Sequence, residues 1–168
     1  PTDDLTSALV HNDLGEDMLA PNEIAPFFIL LAVAGNDTTR NAISHGMRLL
    51  GKNPDQRRIL QDDLEDLLPN AVEEIIRVAS PVTFMRRTVT HDLELSGHSF
   101  VEGDKVVMFY GAANRDPRVF DDPESFLVER EPNPHVGFGG PGPHFCLGAH
   151  LARREVSVIF RELLTRLP

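Results

Sequence analysis

About thirty residues from Pro21 to Gly51 read as one continuous helix, and a helix of that length runs to about 45 Å, enough to cross a whole domain. Pro21-Asn22-Glu23 carries the start signal, and Gly51 with the following Pro54 carries the stop. Phe27 to Ala34 is apolar on every side, which predicts a rod buried all round rather than an amphipathic surface helix. The apolar run is too short to span a bilayer, which needs ~20 such residues. Any fold of this chain must therefore be built around a long central helix.

Into that rod fall Gly35, Asp37 and Thr38, each a poor choice for a helix interior. Glycine costs about 1 kcal/mol relative to alanine, and a threonine hydroxyl can bond back to a carbonyl one turn earlier and bend the helix. One reading is a harmless irregularity. The other is a local widening that admits a small ligand, with a hydroxyl and a carboxylate to deliver protons.

The elements that follow are shorter. Residues 53–79 read as two helices: Asn53-Pro-Asp-Gln56 has the N-cap, first-turn proline and capping-box glutamine of a helix start, and a second helical segment follows Pro69 and breaks at Ser80-Pro81. In that segment Glu74 and Arg77 share a helix face, a spacing that alone implies only an ordinary surface ion pair. Short β patterns occupy Phe84 to Val89, Leu93 to Leu95 and Val106 to Tyr110, with Ser96-Gly97 and Glu102-Gly103 as turns. From Gly97 to Gly148 there are 8 Gly and 6 Pro, so most of that stretch is expected to be irregular. Helical periodicity returns from Cys146 to Leu167, and residues 1–20 read as helix or loop. The class is mainly α with small β segments.

Cys146 is the only cysteine, and it ends a Gly/Pro-rich loop, Val136-Gly-Phe-Gly-Gly-Pro-Gly-Pro-His-Phe-Cys146, directly before the last helical pattern. A sulfur at the mouth of a helix meets unpaired N–H groups and the positive end of the macrodipole, which favour thiolate. Four readings are open. A lone cysteine can be a small buried hydrophobe. A glycine-rich turn before a helix can cradle phosphate, but no Lys-Ser/Thr follows the glycines and no strand leads straight into them. A cysteine nucleophile could take His144 or His150 as base. Finally, the thiolate could be an axial ligand to haem iron, in which case Gly139, Gly140 and Gly142 would let a flat macrocycle lie on the backbone, and N–H groups around the sulfur would tune its electron donation.

Phe138, His144, Cys146 and Gly148 together resemble the haem-binding signature of the cytochrome P450 superfamily, with a Phe138 to Cys146 interval one residue longer than in most members. Ala34-Gly-Asn-Asp-Thr-Thr39 resembles the same family's oxygen-binding helix, and Glu74-Ile-Ile-Arg77 its Glu-x-x-Arg element. The resemblance covers roughly Asp13 to Pro168 and implies the C-terminal part of that fold: a long oxygen-binding helix over 21–51, two helices over 53–79, short strands over 82–110, a meander and Cys loop over 111–145, and a final helix over 146–167. It implies haem b held by Cys146, with Ala34, Gly35, Thr38, Arg87, Phe138, Gly139, His144 and Gly148 around the cofactor. Arg87 and His144 would bind its propionates. Thr38 would stabilise iron-bound dioxygen, and Asp37 would belong to the proton relay. Glu74, Arg77 and Arg130 would form a buried charge network that fixes the cysteine loop from behind.

The activity so implied is monooxygenation of an unactivated C–H bond in a hydrophobic small molecule, with O2 and electrons from a ferredoxin. Within the superfamily the chain looks most like bacterial hydroxylases that oxidise the terminal carbon (C26/C27) of sterol side chains; terpenoid and fatty-acid hydroxylases are the alternatives, and a non-catalytic haem-binding module is the alternative of another class. The segment from His150 to Arg166 has four arginines against two glutamates, and the resemblance makes it part of the ferredoxin-docking face. At 168 residues, beginning at Pro1 without a methionine, the chain is less than half the family's usual length, so a C-terminal-half fragment with an incomplete, inactive haem site is expected. A net charge of −10 argues against nucleic acid and gives no support for an anionic membrane surface. One cysteine excludes a disulfide framework, and no leader or anchor is visible, so a cytoplasmic enzyme is expected.

Overall fold

The computed structural model describes residues 2–11 and 19–167. The stretch 12–18, part of the segment read as helix or loop, lies outside the described residues. The chain forms two compact units, Pro1–Thr38 and Thr39–Pro168.

The first unit holds α1 (Leu5–His11) and the beginning of α2 (Pro21–Lys52). Helix α2 starts as its sequence suggests. Glu23 reaches back to accept the Ala20 N–H at 2.8 Å, one half of a capping box. Pro26 lies inside the helix, near enough to its start that only one ladder bond is lost. The expectation of a rod buried all round is corrected here: Phe28 is 44 % exposed, and Ile29 and Leu30 are each 60 % exposed. A helix that is apolar on every side needs neighbours on every side, and the described residues do not supply them along this stretch. Among the described residues no helix is long and apolar enough to cross a membrane.

The second unit contains the core. Three helices present one apolar face each, with the three- and four-residue spacing of a helical stripe. The rest of α2 gives Ala42, Gly46, Leu49 and Leu50; α4 (Leu64–Ala79) gives Leu68, Ala71, Val72, Ile75 and Ile76; and α6 (Ala149–Arg166) gives Val156, Phe160 and Leu164. Gly46 permits the closest approach, because a Cβ there would lie 2.5 Å from Phe160 Cζ and 3.0 Å from Ile75 Cδ1.

Two boundaries and one cap differ from the sequence reading. Helix α4 begins at Leu64, not after Pro69, which sits inside it; burial of Leu68, Ala71 and Val72 outweighs the missing N–H. Helix α3 (Pro54–Asp62) starts where expected, but Asn53 makes no side-chain cap: its Nδ2 donates to the Leu49 carbonyl at 2.9 Å, and Gln56 Oε1 instead accepts the Val128 N–H at 2.8 Å. Helix α6 starts at Ala149 rather than at Cys146, because the Cys146 carbonyl takes the Ala149 N–H in a tight turn at 3.2 Å.

Strand β1 (Phe84–Thr88) pairs antiparallel with β4 (Lys105–Phe109), with Phe84 opposite Phe109 and Arg87 opposite Val106. Strands β2 (Leu93–Leu95) and β3 (His98–Phe100) form a hairpin whose two-residue turn, Ser96 and Gly97, has φ of 52° and 77°, the positive pair that a tight hairpin turn requires. β3 lies in the stretch expected to be irregular. After β4 comes one helical turn, α5 (Tyr110–Ala113), and then residues 114–148 run without regular structure to α6.

Candidate functional site

The path to the Cys146 sulfur is set by backbone bonds. The Cys146 N–H donates to the Phe138 carbonyl at 2.9 Å, the Gly139 N–H to Val136 at 2.8 Å and the Phe145 N–H to Gly142 at 3.0 Å. Gly139 and Gly142 have φ of 90° and 126°, left-handed values that a Cβ strains. The interval from Phe138 to Cys146, one residue longer than in most members of the family it resembles, is thus closed by a bond between its two ends. Gly137 is fixed by packing instead: a Cβ there would fall 2.6 Å from Ile76 Cγ2 of α4.

Cys146 is exposed, which removes the buried-hydrophobe reading. The surface beside it is bare and apolar: Leu147 is 79 % exposed and Phe145 44 %. A Cβ added at Gly140 or Gly148 would meet nothing within 4 Å. Among the described residues no three His, Cys, Asp or Glu side chains converge as a metal-binding group. A metal at Cys146 would take this one soft protein ligand and its remaining donors from a macrocycle lying over the glycine backbone. The donor chemistry and the open, apolar surface fit haem.

Other residues singled out in the sequence are placed as follows. Ala34, Gly35, Asp37 and Thr38 lie on α2 in the first unit, where the helix runs without interruption and the Thr38 hydroxyl donates back to the Ala34 carbonyl at 2.7 Å. The back-bond is the one anticipated. Arg87 on β1 is exposed, with Nη1 donating to the Arg86 carbonyl at 3.1 Å. His144 is exposed within the loop, its carbonyl 3.5 Å from the position a Gly139 Cβ would take.

Glu74, Arg77 and Arg130 are brought together, and the first two are wholly buried. Arg77 donates through Nε and Nη2 to the two Glu74 oxygens, both at 2.8 Å, and Arg130 Nε lies 3.1 Å from each. The remaining donors of Arg77 go to the carbonyls of Asn114 at 2.7 Å, Pro123 at 2.8 Å and Ser125 at 2.8 Å, and those of Arg130 to Asp121, Asp122 and Ser125. Burial pushes the Glu74 carboxyl up, but the Arg77 hydrogen bond, the Leu127 N–H, the Arg77 charge and the Arg130 hydrogen bond hold it below its usual range. The network fastens the meander between Asn114 and Arg130 and is linked to the start of the cysteine loop through Asn114, whose carbonyl accepts from Arg77 and whose side chain accepts the Val136 N–H.

The loop is gripped by residues that sequence reasoning missed. Glu73 accepts Arg153 Nε at 2.6 Å and Nη2 at 2.9 Å, and lies 2.9 Å from His135 Nε2. The Arg153 guanidinium stacks 4.4 Å over the Phe138 ring. Burial raises the Glu73 carboxyl, and the hydrogen bonds from Arg153 and His135 more than offset it, leaving it at about 2. Asn114, also missed and fully buried, accepts the Val136 N–H at 2.8 Å and donates to Ser80 Oγ at 2.9 Å. Asn133 donates to Glu74 at 3.0 Å, while its buried Oδ1 has no protein partner. A signal was available: two adjacent glutamates on an amphipathic helix point about 100° apart, so burial of one still leaves the second near a different neighbour. On α6, Arg153, Arg161 and Arg166 are paired with Glu73, Glu65 and Glu162.

Comparison with known proteins gives a single answer. A methyl-branched lipid omega-hydroxylase of Mycobacterium tuberculosis is 56 % identical over 166 residues, covering 99 % of this chain and 39 % of its own length. A steroid C26-monooxygenase of Rhodococcus jostii is 47 % identical, covering 100 % of this chain and 35 % of its own. The solved structure of a Mycobacterium marinum cytochrome P450 in complex with pseudoionone superposes with a TM-score of 0.95 at 53 % identity, over 100 % of this chain and 41 % of that one. The chain thus spans about two fifths of the length of the relatives it matches. The cytochrome P450 family model matches residues 2–167, and with the exposed thiol at the end of a backbone-clamped glycine loop this shows that the chain belongs to the cytochrome P450 family, whose members bind haem through a cysteine thiolate.

Proposed function

We propose that this chain carries the thiolate-ligand side of a haem monooxygenase and that Cys146 is the axial ligand. The observation that carries the reading is the exposed sulfur held at the end of a loop by the Cys146 N–H to Phe138 carbonyl bond, with bare glycine backbone and apolar side chains around it. The haem, when bound, supplies the oxidising chemistry on O2, and the protein supplies orientation and protons. Each residue then has a definite task. Cys146 donates charge as a thiolate, and its own N–H is engaged with Phe138. Arg87 and His144 offer exposed cationic or hydrogen-bonding groups for the propionates. The Thr38 hydroxyl hydrogen is committed to Ala34, so its lone pairs accept a proton donor at the oxygen site, and releasing the Ala34 bond lets the same hydroxyl donate. Asp37, one residue away, provides the carboxylate of the proton path.

The substrate class in this reading is a hydrophobic molecule with a branched aliphatic end, hydroxylated on a terminal carbon. Two relatives named for terminal oxidation of a lipid chain and of a steroid side chain support it. The greater identity to the lipid hydroxylase favours a methyl-branched acyl chain over a sterol. A ferredoxin delivers electrons, and the partly exposed Arg161 and Arg166 of α6 are the groups that would meet its acidic face. The setting is the cytoplasm, in keeping with one exposed free cysteine.

The test uses the intact gene product loaded with haem, reduced under carbon monoxide. A strongly red-shifted Soret band that Cys146→Ser abolishes is expected, whereas a band that survives the substitution refutes thiolate ligation by Cys146. Titration with a methyl-branched fatty acid and with cholestenone then reads the substrate class from the shift in spin state. A shift with a short terpene alcohol alone would overturn the branched-chain assignment.

A further inference from the structure

The Glu73 cluster touches three elements that meet behind the cysteine. Glu73 belongs to α4, Arg153 to α6, and His135, Gly137 and Phe138 to the loop. His135 is almost fully enclosed, with 3 % of its side chain exposed. Its Nδ1 accepts the Gly137 N–H at 3.0 Å, so the ring proton sits on Nε2 and is donated to Glu73. Glu73 thus has one oxygen set by the imidazole and both set by the guanidinium, a geometry that leaves Arg153 little freedom. Arg153 in turn sits over the Phe138 ring, which also packs at 5.8 Å from His135 and 6.3 Å from Phe145.

We propose that Arg153, oriented by Glu73 and His135, is the positioning residue for the Cys146 thiolate: it braces Phe138, whose carbonyl holds the Cys146 N–H. The inference rests on the reading of Cys146 as the haem ligand. What supports it is a continuous set of contacts from Glu73 through Arg153 and Phe138 to the Cys146 backbone. The pairing also explains why Arg153 is withdrawn from the solvent-facing arginines of α6. Its role is directed inward at the ligand and not outward at an electron donor.

The experiment compares the haem-loaded intact gene product with Arg153→Lys, Arg153→Ala, Glu73→Gln and Cys146→Ser. Loss of such an outer partner of a metal ligand typically weakens metal-site binding by about 10- to 100-fold, but haem content alone would also fall if the cluster were merely structural. The deciding readouts are therefore the position of the reduced carbon monoxide band and the reduction potential of the haem-bearing fraction, checked as folded by circular dichroism. With Arg153→Ala and Glu73→Gln the red-shifted band is expected to give way to an unshifted one, and any remaining thiolate form to have a potential displaced from the parent's. Arg153→Lys, which keeps the charge and the stem, is expected to retain part of the band. If every variant that holds haem keeps the parental band and potential, the proposal is overturned, even where stability has dropped. A parent protein without a red-shifted band, or Cys146→Ser that keeps one, would instead refute the ligand assignment on which the proposal stands.

Discussion

Gly46 shows how much a single missing side chain can decide. It sits on the buried face of α2 where Phe160 and Ile75 arrive from two other helices, and Phe160 is fully enclosed. An alanine methyl there has no outlet, because neither neighbour can swing into solvent. Gly46→Ala is therefore expected to destabilise the chain by about 1–3 kcal/mol despite its better helix propensity, read as a lower urea midpoint at unchanged slope. Nothing in the sequence marked this position, since a glycine within a helix looks the same whether it admits a ring or faces water. Gly35, which the sequence reading did single out, has open space around it. Gly139 and Gly142 were legible for a better reason. A loop of that composition must turn where only glycine turns easily, whereas steric approach depends on a partner more than a hundred residues away in the chain.

Among the elements, the helices were readable because period and stop signals act locally: α3, the end of α4 at the left-handed Ser80, and α6 fall within a few residues of their expected limits. Side-chain partners were not, because Gln56 and Asn53 found neighbours other than each other's backbone. The meander illustrates the same limit. Its lack of regular structure was evident from glycine and proline content, but its order comes from carbonyls pointing into Arg77 and Arg130. Loops satisfy their backbone with side chains when they have no ladder of their own. Arg77→Ala strips those carbonyls of donors and leaves Glu74 buried with one fewer cation, a loss of about 3–5 kcal/mol. Loss of haem retention and protease cleavage between Asn114 and Arg130 are the expected readouts; normal haem content in this variant would remove the network from any part in the site.

For the molecule as a whole, acidity is the condition to which the two glutamate networks respond together. The Glu73 carboxyl is held at about 2, against an ordinary value of 4.5, and that of Glu74 is lowered as well. A carboxyl that is harder to protonate when folded gives the unfolded chain the greater proton uptake, so stability is fully present above the ordinary value and drains away as pH falls toward 2. Urea unfolding measured from about pH 6 down to about pH 3 should show this decline, and Glu73→Gln should make it shallower while lowering the plateau near neutrality. At the same scale, the family was legible from three motifs in the right order, although the long α2, expected to be enclosed, leaves Phe28, Ile29 and Leu30 in the open. Enclosure is a property of neighbours, and a pattern of apolar residues states only that neighbours are wanted.

The empty space at Gly140 and Gly148 has a practical meaning. Neither position has a left-handed backbone, and an added methyl group on either would touch nothing in the protein. The polypeptide itself thus exerts no steric veto there, unlike at Gly137 or Gly139. Small side chains introduced at these two sites act as feeler gauges: any clearance they remove is clearance that belonged to whatever rests on the loop, and the loss they cause measures the ligand's footprint rather than the fold's tolerance.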